Sequence, residues 1–308
     1  MMMTGRLFVD GKDAYTEWGV FVLEQGYNDL VAMPPLKTFD SNDWQEEDGI
    51  EADLSVPVLN TKDVSIQFAF SGLYNRFDDF VNHLADGAYH TFDCRSIGRT
   101  YSLRMTQMPN LTQAQYLGIF VLKFADDYPL RNYTYQAPNS SIAEVRDYTL
   151  DDIPFTKYGC RICAGTLASV KKAADVKTNL LRNIARKSGA IYDSSKVTLK
   201  SKNVNLVVHA RATTLAALWR NYDALLYDLT RPGERTLYVA ALEQEFACAY
   251  KSCSVKVFYP QDAWLDFELT LTFTRDFRLS ADETLLATED GTLVFTEDEI
   301  NVIDLMKS

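Results

Sequence analysis

The segment YTEWGVFVL (residues 15–23) returns 140 residues later as FTKYGCRIC (155–163). The register between the two copies holds without a gap from about residue 14 to residue 70 of the first copy. Ten residues of that span meet identical residues in the second copy: Thr16, Gly19, Lys37, Thr38, Gly49, Asp53, Ser55, Leu59, Lys62 and Val64. Further on, LKFADDYPL (122–130) meets LTFTRDFRL (271–279). The pattern predicts a tandem duplication, in which each half is one structural unit.

Each half repeats the same order of predicted elements. A short strand is followed by an arm of roughly 35 residues and then by a strand with alternating apolar residues, DVSIQFAF (63–70) or NVNLVVHA (203–210). One amphipathic helix comes next, at 73–86 or 213–229, because its apolar residues recur at spacings of three and four. Several alternating strands complete each half. The fold class predicted is therefore mainly β, with one helix in each of two sandwich or barrel domains.

The repeat also predicts the domain boundaries. The first β domain spans 1–130 and the second, duplicated β domain spans 148–279. The segment between them, 131–147, is polar and reads as a linker. In the remaining segment, 280–308, two alternating stretches flank Asp290-Gly291, which predicts an acidic C-terminal β-hairpin tail.

The net charge of −11 on 308 residues argues against general binding to nucleic acids or to anionic membranes. Most of that charge lies in the last 33 residues, which carry nine acidic and two basic side chains. No apolar stretch approaches the length of a membrane span, and the first residues lack the features of a signal peptide. We therefore expect a protein made in the cytoplasm, with its five cysteines reduced.

Chemistry-bearing motifs are weak throughout the chain. The three histidines, His83, His90 and His209, lie in no recognised metal motif. Cys160 and Cys163 form a CxxC inside a predicted strand, where alternation places the two thiols on opposite faces. The acidic segment 40–51 matches a calcium loop only in part, and the adjacent acid pairs read as solvated surface. The sequence thus predicts no enzyme, no catalytic residue, no cofactor and no metal.

The clearest functional signal is the charge of the two equivalent arms. Residues 31–48 have a net charge of −4, whereas residues 171–188 have +5. Either both arms are simply solvated, or they meet within a chain or between neighbouring chains and determine which half adjoins which. The candidate oligomer-interface residues are Asp40, Asp43, Trp44, Glu46, Glu47, Asp48, Lys171, Lys172, Lys177, Arg182, Arg186 and Lys187.

The stretch W-x-E-x-D-G-I-E-x-D-L-S-x-P-x-L-x-x-K-D-V (44–64), followed by a strand and a helix, resembles the amino-terminal domain of phage distal tail proteins. The resemblance covers about residues 7–130 and extends weakly to 150–279. It implies a tail-tube-like β-barrel or sandwich with one helix and a protruding hairpin arm. It also implies six-fold rings at the tail tip of a phage or prophage, with the arms at 31–62 and 171–202 as ring contacts.

One departure from that family leaves the assembly open. The second half looks like another ring domain, which is similar to baseplate hub proteins, whose chains carry two tube-like domains. The ring is then a trimer with pseudo-six-fold symmetry, or a hexamer with the second halves outside. The resemblance further implies a virion-tail location, contacts with other tail proteins through the C-terminal tail, and DNA passing through the ring without specific binding.

Two other functions remain as alternatives. A carbohydrate-binding baseplate module would expose aromatic side chains in a groove, with Trp44, Tyr74 and Trp264 as candidates. A tail-associated hydrolase would need clustered acids or histidines in a cleft, and the scarcity of histidine weighs against it.

Overall fold

The computed structural model describes residues 3–71, 76–107, 111–113, 117–131, 133–178, 181–183, 185–186, 188–192, 197–275 and 277–278. The predicted tail hairpin of residues 280–308 lies outside this part of the chain. Residues up to Asp276 form one compact unit. Among the described helices, none combines the length and the apolar character needed to cross a bilayer.

The first half forms one antiparallel sheet and a small hairpin. Its helices are α1 (Ala14–Trp18), α2 (Asn28–Val31) and α3 (Phe77–Leu84). Its strands are β1 (Leu7–Val9), β2 (Lys12–Asp13), β3 (Val20–Val22), β4 (Ser41–Asn42), β5 (Glu51–Ala52), β6 (Lys62–Ser71), β7 (Tyr89–Cys94), β8 (Arg99–Gln107), β9 (Leu111–Gln113) and β10 (Leu117–Asp126). The sheet order is β2-β1-β7-β8-β10-β6-β3, with β9 paired to β10, while β4 and β5 form the hairpin.

The second half has the same plan. Its helices are α4 (Thr166–Lys171) and α5 (Leu215–Leu229), and Phe155–Tyr158 forms a 3-10 turn where the first half has α1. Its strands are β11 (Tyr148–Leu150), β12 (Ile153–Pro154), β13 (Cys160–Ile162), β14 (Leu181–Asn183), β15 (Ala190–Tyr192), β16 (Lys202–Arg211), β17 (Arg235–Val239), β18 (Gln244–Tyr259) and β19 (Trp264–Arg275). The sheet order β12-β11-β17-β18-β19-β16-β13 matches the first sheet element by element. The mainly β fold class is thus confirmed.

Alternating apolar residues build the core of each half. In β6 the buried residues Val64, Ile66 and Phe68 face the helix layer, where the ring of Phe68 lies 5.5 Å from that of Phe80 in α3. Gly118 on β10 has no side chain because the Phe70 ring occupies the space 2.4 Å from where its Cβ would lie. A larger residue there would displace an aromatic ring from the core.

A shared glycine explains one of the repeat identities. Gly19 ends α1 and Gly159 ends the equivalent 3-10 turn, both with a left-handed backbone at φ 72° and 70°. A glycine adopts this conformation without the steric cost that a Cβ imposes. At Gly159 an added Cβ would also lie 2.9 Å from the Arg211 carbonyl oxygen, so no larger residue fits.

The structure adds elements that the periodicity does not predict. Each arm contains a short helix and a hairpin rather than irregular chain, and the helix predicted at 73–86 is confined to Phe77–Leu84 in the described residues. The predicted linker also packs on the second half, since Asn139 N–H donates to Asn221 Oδ1 (2.7 Å) and Arg220 Nε donates to the Ala137 carbonyl (2.8 Å).

Candidate assembly interface

The hairpin of the first arm is held in shape by hydrogen bonds at its base. Strands β4 and β5 pair Ser41 with Ala52 and Asn42 with Glu51. The Glu51 carboxylate accepts hydrogen bonds from Trp44 Nε1 (3.0 Å) and from Asn42 Nδ2 (3.3 Å). These bonds lower the pKa of Glu51 below its usual value. The carboxylate that closed the possible calcium loop thus organises the hairpin.

The tip of this arm binds a lysine of the second half. The Lys177 ammonium donates to the carbonyl oxygens of Trp44 (2.7 Å) and Gly49 (2.6 Å), and it pairs with Asp43 Oδ1 at 2.5 Å. Its side chain is only 2% exposed, whereas that of Asp43 is 54% exposed. A buried ammonium is tolerated because three oxygens replace its water shell.

Backbone pairing extends the same contact. Gly49 N–H donates to the Leu199 carbonyl (2.8 Å), and Leu199 N–H donates to Asp48 Oδ1 (2.8 Å). The Thr198 hydroxyl donates to the Gln45 carbonyl (2.8 Å). One backbone hydrogen bond and two hydrogen bonds that involve side chains therefore connect the tip of the arm to residues 198–199 of the second half.

The segment around α2 lies along β18 of the second half. The Gln25 amide donates to the Phe258 carbonyl (3.1 Å) and accepts from the Phe258 N–H (2.9 Å). Asn28 Nδ2 donates to the Lys256 carbonyl at 3.1 Å. Because both side chains form hydrogen bonds with backbone groups of β18, this contact fixes the position of α2 along the strand.

Helix α5 contacts the first half through one charged and aromatic cluster. Trp219 Nε1 donates to the Ile97 carbonyl (2.7 Å), and Arg99 pairs with Asp223 at 2.6 Å. The Arg99 guanidinium also lies 4.1 Å from the centre of the Trp219 ring. Arg99 and Asp223 are about one-fifth exposed, so solvent screens this ion pair less than one on the surface.

The two halves use different faces for this contact. The first half contributes its arm, the α2 segment and residues 97–99, and the second contributes α5, β18, Lys177 and the segment at 198–199. Repeat-equivalent positions consequently differ in burial. Lys177 is 2% exposed but Lys37 is exposed, and Thr198 is fully buried while Val58 is 47% exposed. The contact is heterologous, because the two halves contribute different surfaces. We call the surface of a domain that carries the arm tip and α2 its front. The surface that carries the position of Lys177 and Thr198 is its back.

The candidate residues fall into distinct places. Asp43, Trp44, Asp48 and Lys177 come together in the contact between the halves, with Asp40, Glu46 and Glu47 exposed on the same arm. In the second half Lys171, Lys172 and Arg186 are exposed, Arg182 lies in β14, and Lys187 lies outside the described residues. The structure thus pairs the acidic arm with Lys177 of the basic segment within one chain, and it shows another part of that segment in the hairpin β14–β15.

Sequence reasoning missed the contacts of Gln25, Asn28, Arg99 and Trp219. One signal in the sequence could have indicated the α5 contact. Trp219 and Asp223 lie one helical turn apart beside the apolar stripe of α5, and packing of that stripe on its own sheet requires neither a tryptophan nor an aspartate there. The polar residues of the α2 segment give no such signal, because their partners are main-chain groups more than 200 residues away.

Other candidate sites look different in the structure. The Trp44 ring is half exposed, whereas Trp264 packs against Tyr259 at 4.7 Å, and Tyr74 lies outside the described residues. Cys160 is buried and Cys163 is exposed, which confirms that the CxxC thiols lie on opposite faces.

No protein-family profile matches the chain, and no curated protein matches it. Among solved structures the chain is similar to the SPP1 Dit (gp 19.1) protein, described as a paradigm of the hub adsorption apparatus in phages that infect Gram-positive bacteria. The sequence identity is 14%, the match covers 87% of this chain and 98% of that chain, and the TM-score is 0.29.

Proposed function

We propose that this chain is a structural, ring-forming component of the tip or baseplate of a phage or prophage tail, which acts by assembly rather than by catalysis. The resemblance of residues 44–64 to distal tail proteins supports the tail context. The observation that carries the proposal is the heterologous contact between two halves of the same plan. The C-terminal tail would bind a neighbouring tail protein, and DNA would pass through the ring.

A tandem duplication explains why that contact matters. The two sheets have equivalent strand orders, and the shared lysines Lys62 and Lys202 reach the equivalent carbonyls of Leu30 (2.5 Å) and Val170 (2.6 Å). A heterologous contact between equivalent domains leaves one unused front and one unused back on every chain. Such contacts propagate, and they generate a closed ring when the rotation between domains permits it.

The back of the first half, around Lys37 and Val58, would bind the basic arm of a neighbouring chain, which has the opposite charge. A cleft of about 260 Å³ beside Lys37 and Val58 is also lined by Asp40 and Asp53. We propose that the basic arm of a neighbouring chain, with Arg182, Arg186 and Lys187, occupies this position as the acidic arm occupies that of Lys177. Three chains would then supply six domains in alternation, a trimer with pseudo-six-fold symmetry.

Size measurements on point variants test this ring. Val58→Arg places a positive charge where the basic arm of the neighbouring chain would pair, so like charges would repel. Val121→Arg makes the same change on β10, at a valine that is 38% exposed. We expect the unchanged protein and Val121→Arg to give three times the 34.9 kDa chain mass by mass photometry and light scattering. Val58→Arg should give monomers. A six-chain particle would instead favour the hexamer, and a monomer at high concentration for the unchanged protein would contradict the ring.

A further inference from the structure

Two histidines and one aspartate of the first half converge on a single point. Asp10 Oδ2 lies 2.9 Å from His83 Nε2 and 2.7 Å from His90 Nδ1. These three ligand atoms all lie within 4.8 Å of one another. They come from the turn between β1 and β2, from the end of α3 and from β7, so no local sequence motif predicts the cluster.

The surrounding structure holds each group in place. Asp10 has a left-handed backbone with φ 49°, its N–H donates to the Thr91 carbonyl (2.9 Å), and its Oδ1 accepts from Thr91 N–H (2.8 Å). That leaves Oδ2 directed at the histidines. The His90 side chain is 4% exposed, and its second ring nitrogen, Nε2, lies 3.1 Å from Asp86 Oδ1.

The equivalent aspartate of the second half, Asp151, lies beside positively charged side chains. Asp151 has the same backbone conformation, with φ 47°, and the same pair of hydrogen bonds to Thr236. Its Oδ2 faces two guanidinium groups, Arg235 at 2.8 Å and Arg231 at 3.3 Å. The fold thus directs one carboxylate oxygen at two nitrogen-bearing side chains in both halves, which are guanidinium groups in the second half and imidazoles in the first.

We propose that Asp10, His83 and His90 bind a divalent transition-metal ion of the zinc class. Two imidazole nitrogens and one carboxylate oxygen are a ligand set that such ions prefer, whereas Mg²⁺ and Ca²⁺ prefer oxygen ligands alone. Asp86 would orient the His90 ring by accepting its other N–H, because a metal-bound histidine usually donates that N–H to a carboxylate or carbonyl. Asp10 and His83 are about one-third exposed, which leaves a fourth coordination position open to water.

The site needs little rearrangement to accept the ion. Ligand atoms about 2.1 Å from a tetrahedral zinc ion lie roughly 3.4 Å apart, so the Asp10 oxygen would separate from the two imidazole nitrogens by roughly 0.5 to 0.7 Å. Bound metal would tie the β1–β2 turn to the end of α3 and to β7. The ion would supply the positive charge that the arginines supply in the second half.

Titration of the full-length, chelator-treated protein with Zn²⁺ tests the proposal. We expect one Zn²⁺ per chain by calorimetry, no heat with Mg²⁺, and a rise in the melting temperature of several degrees at saturating zinc. The double variant His83→Arg/His90→Arg copies the chemistry of the second half, and it should fold while losing zinc binding. His83→Gln provides a milder variant that should weaken zinc binding at least tenfold.

The matched control is the remaining histidine. His209 pairs with Asp266 at 2.6 Å and belongs to no three-residue cluster of metal-ligating groups among the described residues. His209→Asn should bind Zn²⁺ like the unchanged protein, and Co²⁺ added in place of zinc should give a tetrahedral absorption band. Zinc binding that survives His83→Arg/His90→Arg, or that is lost in His209→Asn, overturns the proposal. So does an unchanged protein that binds no zinc at neutral pH.

Discussion

Two lysines, Lys62 buried and Lys202 partly buried, support the short helices that precede the central strands. Lys62 donates to the Leu30 carbonyl in α2, and Lys202 donates to the carbonyls of Val170 (2.6 Å) and Lys172 (2.9 Å) at the end of α4. The last carbonyls of a helix have no partner within the helix and carry partial negative charge. A lysine at this position therefore stabilises helices that are too short to persist alone.

Burial makes the contribution of Lys62 depend on pH. Desolvation lowers the pKa of Lys62 to about 8, whereas an unfolded lysine titrates near 10.4. Between these values the unfolded state binds more protons than the folded state, so the free energy of unfolding rises with pH. Relative to Lys62→Met, the unchanged protein should gain roughly 2 kcal/mol between pH 8 and pH 10.4, measured by urea denaturation.

Lys202→Met is the control for that experiment. Burial also lowers the pKa of Lys202, but its side chain is only partly buried, so its pH-dependent gain should be smaller. A stability difference between the unchanged protein and Lys62→Met that stays constant from pH 7 to pH 10 would contradict the predicted titration of Lys62.

At the residue scale the repeat predicts the structural roles of some residues but not the contacts of others. The identities at Gly19 and Lys62 point to structural roles, because a duplicated backbone needs the same glycine and the same helix-stabilising lysine twice. Asp10 and His90 are 80 residues apart, and only the pairing of β1 with β7 brings them together. Their convergence depends on sheet order, which strand periodicity does not supply.

At the scale of single elements, the arm hairpin forms the contact with Lys177 of the second half. The long strands of the two sheets can be predicted from apolar spacing, but β4, β5 and α2 are two to four residues long and show no periodicity. Their structure depends on tertiary contacts, chiefly with Lys177 and β18. The opposite charges of the two arms are compatible with simple solvation or with contacts between the arms, and they do not distinguish contacts within a chain from contacts between chains.

Proteolysis can measure how firmly the second half holds the arm. Glu46 and Glu47 are exposed at the hairpin tip, so a glutamate-specific protease needs only local opening of the arm to cut there. Lys177→Met removes the ion pair and two hydrogen bonds to carbonyl groups. Mass spectrometry should show cleavage after Glu46 or Glu47 at least ten times faster than in the unchanged protein.

The repeat itself provides the comparison. Lys37→Met alters the equivalent lysine, which is exposed within a single chain, and at concentrations that favour monomers it should leave the cleavage rate unchanged. Equal rates for Lys177→Met and the unchanged protein would mean that the backbone pairing of Gly49 with Leu199 holds the arm without the lysine.

At the scale of the whole molecule, alternation of two unlike halves would give the proposed ring its specificity. A ring of identical acidic arms would place each arm against a surface that includes Asp40 and Asp53, where like charges repel. Joining an acidic-arm domain to a basic-arm domain would give every front in the proposed ring a back of opposite charge. The covalent link also makes one of the two contacts intramolecular, which raises its effective concentration.

Separate halves test this alternation directly. Cutting after Leu130 keeps the segment around Asn139 with α5, on which it packs. Mixed in equal amounts, residues 1–130 and 131–308 should associate, and Trp219 emission should shift to shorter wavelength as it is buried against Ile97 and Arg99. Because each fragment retains one front and one back, the mixture should form particles of three copies of each, whereas either fragment alone should stay small. A mixture that stops at one copy of each would show that the contact between the halves does not repeat between chains, and the ring proposal would then fail even though the intrachain contact is correct.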